Sequence, residues 1–534
     1  MSTDRSHRTR RVGGALGVLA VLAVLTPLAV APAAAADLVP ITGAGSTWSQ
    51  VAVDAWRADV RADGLVVNYS GTGSTDGRVQ YMHHTVDFAV SEIPFENPPE
   101  PGQPAEVPDR PYRYLPIVAG GTSFMYHLTV GGKQVRDLRL SGETLTKIYT
   151  GVITRWNDPA IKADYGKDLP DEKITPVIRS DGAGASAQFS KYMQTLFPSL
   201  WCPFAQQTLR QPANNCHHTS FYPAFGSAKG QVGSNGVANY VSASYGEGAI
   251  GYVEYAYAKR INYPVVSLLN AAGYYSQPTA SNVAVALTKA VIKTDLTQDL
   301  SSVYANPDSR TYPMSSYSYM IIPTTTDTPF NADKGRSLST FINYFLCAGQ
   351  QKAQTLGYSP LPKNLVLAGF QQVAAIPSAV ASPGIDSCKN PALSILQSAP
   401  LPPACAKKGA PMCDGLGGVE GAATATTAAA ASGGVSAQSG GVVGATGAGA
   451  ATGAAGTSGA AAAAVDPLTG SPIATGGGGV AVNAAQAISV APELASGAQT
   501  DVLYVIAAVS LLGVVIVPPS VIAARRRRPQ GVHR

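Results

Sequence analysis

The 534-residue chain contains no Gly-x-Ser-x-Gly elbow, no His-Glu-x-x-His and no Walker-type lysine loop. Motif-borne routes to a serine hydrolase, a zinc peptidase and a nucleotide-driven ATPase therefore lack support. No Cys/His pair is persuasive as nucleophile and base, so a Ser/His/Asp triad assembled by folding is the enzymatic alternative left open. Charge is scarce, at 13% Asp, Glu, Lys and Arg, and the net value of +5 owes much to arginines near the two ends. The body between is near neutral and carries no basic stripe interleaved with aromatics, which argues against nucleic-acid binding. There is also no Cys-x-x-Cys. The only histidines beside a cysteine are His217 and His218, next to Cys216, and adjacent side chains diverge on a helix or a strand. With His83-His84 they read as surface or loop histidines, so neither a metal nor another cofactor is expected.

The six cysteines, Cys202, Cys216, Cys347, Cys388, Cys405 and Cys413, are even in number. Pairing neighbours gives Cys202 with Cys216, Cys347 with Cys388, and Cys405 with Cys413, although spacing alone leaves the connectivity open. The chain ends support an oxidising location. Arg5, Arg8, Arg10 and Arg11 precede an apolar stretch from Val12 to Val30 and then four alanines ending at Ala36, which reads as a secretory signal over 1–36. A twin-arginine reading of Arg10-Arg11 fits the following residues poorly, and no cysteine follows the apolar stretch to carry a lipid.

Large apolar side chains are rare between Gly421 and Thr500, where Ala, Gly, Ser, Thr and Val predominate and Asp466 and Glu493 are the only charges. Such a tract cannot offset its ordering entropy by burial. A flexible linker over 417–500 is expected, with a reach of roughly 50 Å. It leads to an uncharged stretch, Val502 to Ala524, long enough to span a bilayer and followed by Arg525 to Arg528. The basic tail 525–534 should stay cytoplasmic, which places the body outside the cell membrane. A sortase-type wall anchor is the competing idea, but Pro467-Leu468-Thr469-Gly470 lacks the preceding Leu-Pro order.

Four short loops carry the chemistry: Gly43-Ala44-Gly45-Ser46-Thr47-Trp48, Gly71-Thr72-Gly73-Ser74, Ser91-Glu92, and Arg179-Ser180-Asp181-Gly182-Ala183-Gly184-Ala185-Ser186. A tetrahedral anion removed from water needs many short donors converging on it. Small residues let backbone N–H groups approach, and in the first, second and fourth loops the cluster precedes a stretch that reads as a helix. Arg179 can supply a full positive charge. The strand-like runs Leu65–Tyr69, Tyr112–Val118, Ser123–Val130, Ile174–Ile178, Ile250–Val253 and Ser318–Pro323 alternate with helical stretches at Trp48–Arg61, Ser141–Thr150, Ala185–Leu196, Gly236–Val241 and Gly335–Ala348. That alternation argues an α/β body from Asp37 to about Ala381.

The order and spacing of the loops resemble the phosphate-binding protein of bacterial Pst-type phosphate ABC importers. The likeness runs from about Leu38 to about Ala375 and extends to Gly64–Ser74, Val86–Glu92 and, most specifically, Gly248–Ala258. It implies a two-lobed periplasmic-binding-protein fold of type II with a hinge, to which the C-terminal single transmembrane helix is added. On that reading lobe one is about 37–125 and 315–381, lobe two about 126–314, and 382–416 is a Cys-containing extension beyond the likeness. The chain would cross lobes near Phe124–Leu128 and return near Tyr319–Pro323.

Residue by residue, the resemblance implies phosphate contacts at Ser46, Thr47, Trp48, Ser74, Glu92, Arg179, Ala183, Gly184 and Ala185, with Asp181 orienting Arg179. Three positions depart from the family pattern. Glu92 stands where the family usually has Asp, and Ala183 and Ala185 replace the hydroxyl residues flanking Gly184. Each lost hydroxyl costs up to ~1.5–3 kcal/mol as a bond to a charged ligand. Two losses correspond to roughly 10²–10⁴ in affinity unless Ser186 or water compensates. A carboxylate beside the anion favours one that retains a proton, as phosphate does and sulfate does not. The expectation is a non-enzymatic, membrane-tethered, extracytoplasmic protein that captures phosphate for ABC permease subunits. The alternative is a surface-anchored sensor or interaction protein with the same fold and altered oxyanion binding.

Overall fold

The computed structural model describes residues 38–212 and 215–412. The expected signal, Cys413, linker, membrane span and basic tail lie outside these residues. Among the described residues no helix is long and apolar enough to cross a membrane.

Eight strands form one sheet: β1 (Ile41–Gly45), β2 (Val67–Ser70), β3 (Phe88–Ser91), β4 (Tyr112–Tyr126), β5 (Thr175–Arg179), β6 (Lys229–Gln231), β7 (Ala249–Glu254) and β8 (Ser315–Pro323). Their spatial order is β2-β1-β3-β8-β4-β7-β5-β6. Strand β1 lies parallel to both β2 and β3, and β5 lies parallel to both β6 and β7. The two parallel halves are joined by the antiparallel strands β8 and β4. Parallel pairing requires crossovers, which explains the helical stretches read between the strand-like runs.

The two separate runs expected at Tyr112–Val118 and Ser123–Val130 are one 15-residue strand. The Ala119-Gly120-Gly121-Thr122 segment reads as a break, yet pairing is continuous across it. Tyr112 to Gly121 face β8, and Thr122 to Tyr126 face β7. The pairing partner therefore changes between Gly121 and Thr122. Gly43 to Gly45, read above as loop, are strand because neighbours on both sides satisfy the backbone.

Helices follow the strands at the positions that matter for the site. Helix α1 (Gln50–Arg61) buries Ala52, Val53, Trp56 and Val60, a helical stripe. Trp56 stacks on Phe345 at 4.9 Å and donates its indole N–H to the Gly349 carbonyl at 3.2 Å. Its truncation to alanine costs about 3–5 kcal/mol by analogy with other buried aromatics. Helix α2 (Ser74–Met82) starts directly after Gly73, α3 (Gly184–Leu196) after Ala183, and α4 (Gly233–Ser242) after Val232. Helix α5 (Ala280–Leu287) packs on β4 and β8, α7 (Lys363–Val373) on β4, and α6 (Ala332–Leu346) on α7, α1 and β1, together burying Val283, Ala286, Leu338, Phe341, Ile342, Leu365 and Val366.

The chain does not leave the fold at 381. Cys388 is bonded to Cys347, just beyond α6, and Asn390 donates to the Leu361 carbonyl at 3.0 Å. Helix α8 (Ala392–Gln397) then packs on α5. At the far end Arg139 donates to the carbonyls of Cys405 at 3.2 Å and Ala410 at 3.0 Å, while the Lys408 N–H reaches the Gly273 carbonyl at 2.8 Å. Residues 382–412 are therefore a strap fixed to α6 at one end and to the neighbourhood of Arg139 at the other. Cys202 and Cys216 form a second disulfide, and Cys405 is also disulfide-bonded.

Candidate functional site

The site is assembled where the C-terminal ends of β1, β2, β3 and β5 meet the starts of α1 to α4. Parallel strands end there together, so the loops that follow them converge, and each helix presents first-turn N–H groups without intrahelical acceptors. Ser46, Thr47, Ser74, Glu92 and Arg179, from four segments far apart in sequence, are at most 3% exposed.

Glu92 is at the centre. Its Oε1 accepts the hydroxyls of Ser46 and, at 2.9 Å, Ser318; its Oε2 accepts the Ser74 hydroxyl at 2.7 Å. The residue is 1% exposed, unusual for a glutamate, which ordinarily lies at the surface. Oε2 also lies against the start of α3: a Cβ at Gly184 would collide with it and would stand 3.0 Å from Ser74 Oγ. Glycine is thus required at 184 by close approach of the carboxylate to the helix N-terminus. The extra methylene of Glu over Asp is accommodated by reaching into the hydroxyl cluster.

Arg179 and Asp181 form the charged wall. The Arg179 Nε–H donates to Asp181 Oδ1 at 2.7 Å, and a second guanidinium N–H meets Oδ2. Burial alone would lower the Arg179 pKa, but the Asp181 carboxylate more than offsets it and holds the guanidinium above its ordinary value. Burial likewise pushes the Asp181 carboxyl up, and Arg179 together with the Gly233 N–H brings it below the usual range. Both groups are charged at neutral pH. Gly73, at φ +101°, passes so close that a side chain there would stand 2.6 Å from Asp181 Oδ2. Behind Arg179 the Tyr252 hydroxyl accepts the Arg179 backbone N–H at 3.1 Å and pairs with Ser186 Oγ at 2.7 Å. Burial pushes that phenol up to about 12, so it stays protonated.

Several assigned roles change. The Ala183 N–H donates to the Ser220 carbonyl at 2.9 Å and is not free for a ligand. Gly184 and Ala185 keep the first-turn geometry for that role. The Ser186 hydroxyl, considered above as a substitute for the missing flanking hydroxyls, is held by Tyr252. The Trp48 side chain points away from the cluster: its indole N–H donates to Thr122 Oγ1 at 3.1 Å, and its ring meets Tyr358 edge-on at 5.8 Å. Its backbone N–H donates to Ser46 Oγ at 3.0 Å, so Trp48 orders the first loop.

Four residues at the site escaped the sequence reading: Ser318, Gly233, Ser234 and Tyr257. Ser318 lies inside a strand, where nothing marks one hydroxyl as inward. Gly233 and Ser234 open α4, and the Ser234 N–H donates to Thr47 Oγ1 at 3.0 Å. The signal for this fifth segment was the same as for the others, a Gly-Ser cluster before a helix, in Val232-Gly233-Ser234-Asn235-Gly236. Tyr257 donates its hydroxyl to the Thr47 carbonyl and sits in the run Gly248–Ala258 already singled out. Among the described residues no group of three or more His, Cys, Asp or Glu is placed to hold a metal ion.

This constellation, hydroxyls and helix starts around a buried Arg, is built for an oxyanion. The family profile described as "PBP superfamily domain" matches residues 30–348. The phosphate-binding protein PstS of Xylella fastidiosa is 31% identical over 331 residues, covering 61% of this chain and 83% of that protein. PstS of Pasteurella multocida is 30% identical over 333 residues, covering 61% and 87%. A solved high-affinity periplasmic phosphate-binding protein bound with phosphate is 17% identical, with a TM-score of 0.49 over 66% of this chain and 98% of that one. The chain belongs to the PstS family of phosphate-binding proteins, within the PBP superfamily.

Proposed function

We propose that the chain captures inorganic phosphate outside the cytoplasm and presents it to the permease subunits of an ABC importer. The observation that carries this reading is the convergence of Ser46, Thr47, Ser74 and Arg179 with the start of α3, in a family whose named members are phosphate-binding proteins. Arg179 supplies the charge and the helix starts supply backbone donors.

The body would consist of two lobes about the β4/β8 pair, lobe one near 37–125 and 315–381 and lobe two near 126–314. It would be anchored through the stretch 502–524, with the tail 525–534 in the cytoplasm and a signal at 1–36 removed on export. Bonds between the segments support lobe closure as the capture step: Thr47 with Ser234, and the Gln188 side-chain amide donating to the Glu92 carbonyl at 3.0 Å.

A second reading, a surface-anchored sensor or interaction protein with weakened oxyanion binding, is favoured by one observation. The serine hydroxyls that would serve a ligand already donate to Glu92. Calorimetry with phosphate, sulfate and arsenate separates the two. Saturable heat with phosphate supports the capture function, and no heat with any of the three anions supports the sensor.

A further inference from the structure

Three hydroxyl groups from three elements converge on one carboxylate: Ser46 after β1, Ser74 at the start of α2 and Ser318 in β8 all donate to Glu92. A serine hydroxyl has a single proton and donates to one acceptor at a time. While Glu92 holds these protons, an incoming anion does not have them. Oε1 takes two of the three bonds and is filled, whereas Oε2 takes one and lies against the Gly184 backbone at the N-terminus of α3. A carboxylate surrounded by hydroxyl donors, facing a helix start and near a buried guanidinium, has the environment of a bound oxyanion.

We propose that the Glu92 carboxylate is an internal ligand of the anion pocket, competing with an external oxyanion for the protons of Ser46, Ser74 and Ser318. This rests on the reading that the pocket takes phosphate, and it sets the affinity of that same site. Entry of the tetrahedral anion requires the Glu92 carboxylate to withdraw towards β3, so the observed affinity is that of the donor set reduced by the stability of the internal contact. The backbone donors of Gly184 and Ala185 and the Arg179 guanidinium remain for the first encounter.

The test uses the full chain in detergent with two variants. Glu92→Asp shortens the reach by one methylene while keeping the charge. Glu92→Gly removes the carboxylate and leaves the hydroxyls facing a space that formate can enter. Where phosphate binds the wild type, the calorimetric affinity ratio decides. A Kd at least about tenfold lower for Glu92→Asp, the equivalent of one hydrogen bond to a charged group, supports competition. An unchanged or higher Kd overturns it while leaving phosphate capture standing. Where phosphate binds neither protein, the capture function falls and the thermal midpoint in formate decides. A rise in Glu92→Gly but not in wild type, relative to chloride at equal ionic strength, supports a carboxylate-filled anion pocket, and equal response of the two overturns it. The formate comparison also decides if Glu92→Asp does not fold.

Discussion

Thr47 and Ser234, 187 positions apart, lie with hydroxyl oxygens 3.2 Å from each other, and the Ser234 backbone N–H donates to Thr47 Oγ1 at 3.0 Å. The start of α4 is thereby tied to the loop after β1 across the sheet. Thr47→Val keeps the shape but leaves a buried N–H unpaired, which should cost about 1–3 kcal/mol. Thr47→Ser, losing only a methyl, should cost about 0.8 kcal/mol. Equilibrium denaturation of the three proteins checks the difference, and equal losses in the two variants would mean that the hydroxyl is not the tie.

Arg179→Ala is expected to abolish the calorimetric signal with phosphate. It removes the cation and leaves the mostly buried Asp181 carboxylate facing the pocket with only the Gly233 N–H at 3.0 Å among its partners named above. Arg179→Lys keeps the charge but not the fork, so binding should be weaker without vanishing. Unchanged affinity in Arg179→Ala would defeat the pocket assignment.

Gly184→Ala places a methyl group on the Glu92 carboxylate and close to Ser74 Oγ. Overpacking of this kind costs about 1–3 kcal/mol. A drop in thermal midpoint, together with weaker phosphate binding, is expected for this variant, whereas Ala185→Gly should lower stability by about 1–2 kcal/mol through helix propensity and the loss of one buried methyl.

Acid stability has an identifiable contributor in His218. Burial, with Lys191 and His217 adding repulsion against the attraction of Glu100, lowers its pKa to about 4. The folded state therefore binds the imidazole proton more weakly than the unfolded state, whose ordinary value is about 6.5. Above the unfolded value the histidine is neutral in both states and contributes nothing. As pH falls from about 6.5 towards 4 only the unfolded chain gains the proton, so stability declines across that window. Denaturation midpoints of wild type and His218→Asn, measured from pH 7 to 4, should diverge below pH 6.5, with the variant losing less.

The strap offers a separate test. Arg139 donates to three carbonyls, of Asp164 at 3.0 Å, Cys405 and Ala410. Arg139→Ala should release the 404–412 end and speed its cleavage by a limiting protease, read by mass spectrometry, while leaving cleavage near Cys388 slow. Reduction of the Cys347–Cys388 bond should act at the other end. Loss of such a cross-link typically costs about 2–4 kcal/mol.

The α/β alternation and the loops of the site were legible because they are local. Gly-Ser clusters before helices, alternating apolar runs and the Arg179-x-Asp181 pair are properties of neighbouring residues. The residues that escaped, Ser318, Gly233, Ser234 and Tyr257, reach the site only through long-range contacts. Ser318 is one of several serines in β8, and its inward direction follows from the register of β8 against β3 and β4.

By itself the sequence carried the α/β class, the resemblance to the family and four of the loops, while the disulfide pairs Cys202–Cys216 and Cys347–Cys388 were one of several pairings until the fold brought those cysteines together. The class and the loops follow from residue type and short spacing, and the family from the resemblance of whole motif runs such as Gly248–Ala258. Tertiary structure alone decided that Glu92 is buried among three hydroxyls, that the Ala183 N–H is already bonded, that Trp48 faces away, and that 382–412 is a strap. The physical reason is that a donor's partner is chosen by what lies within 3 Å in space, and for these groups that neighbour comes from another element of the chain.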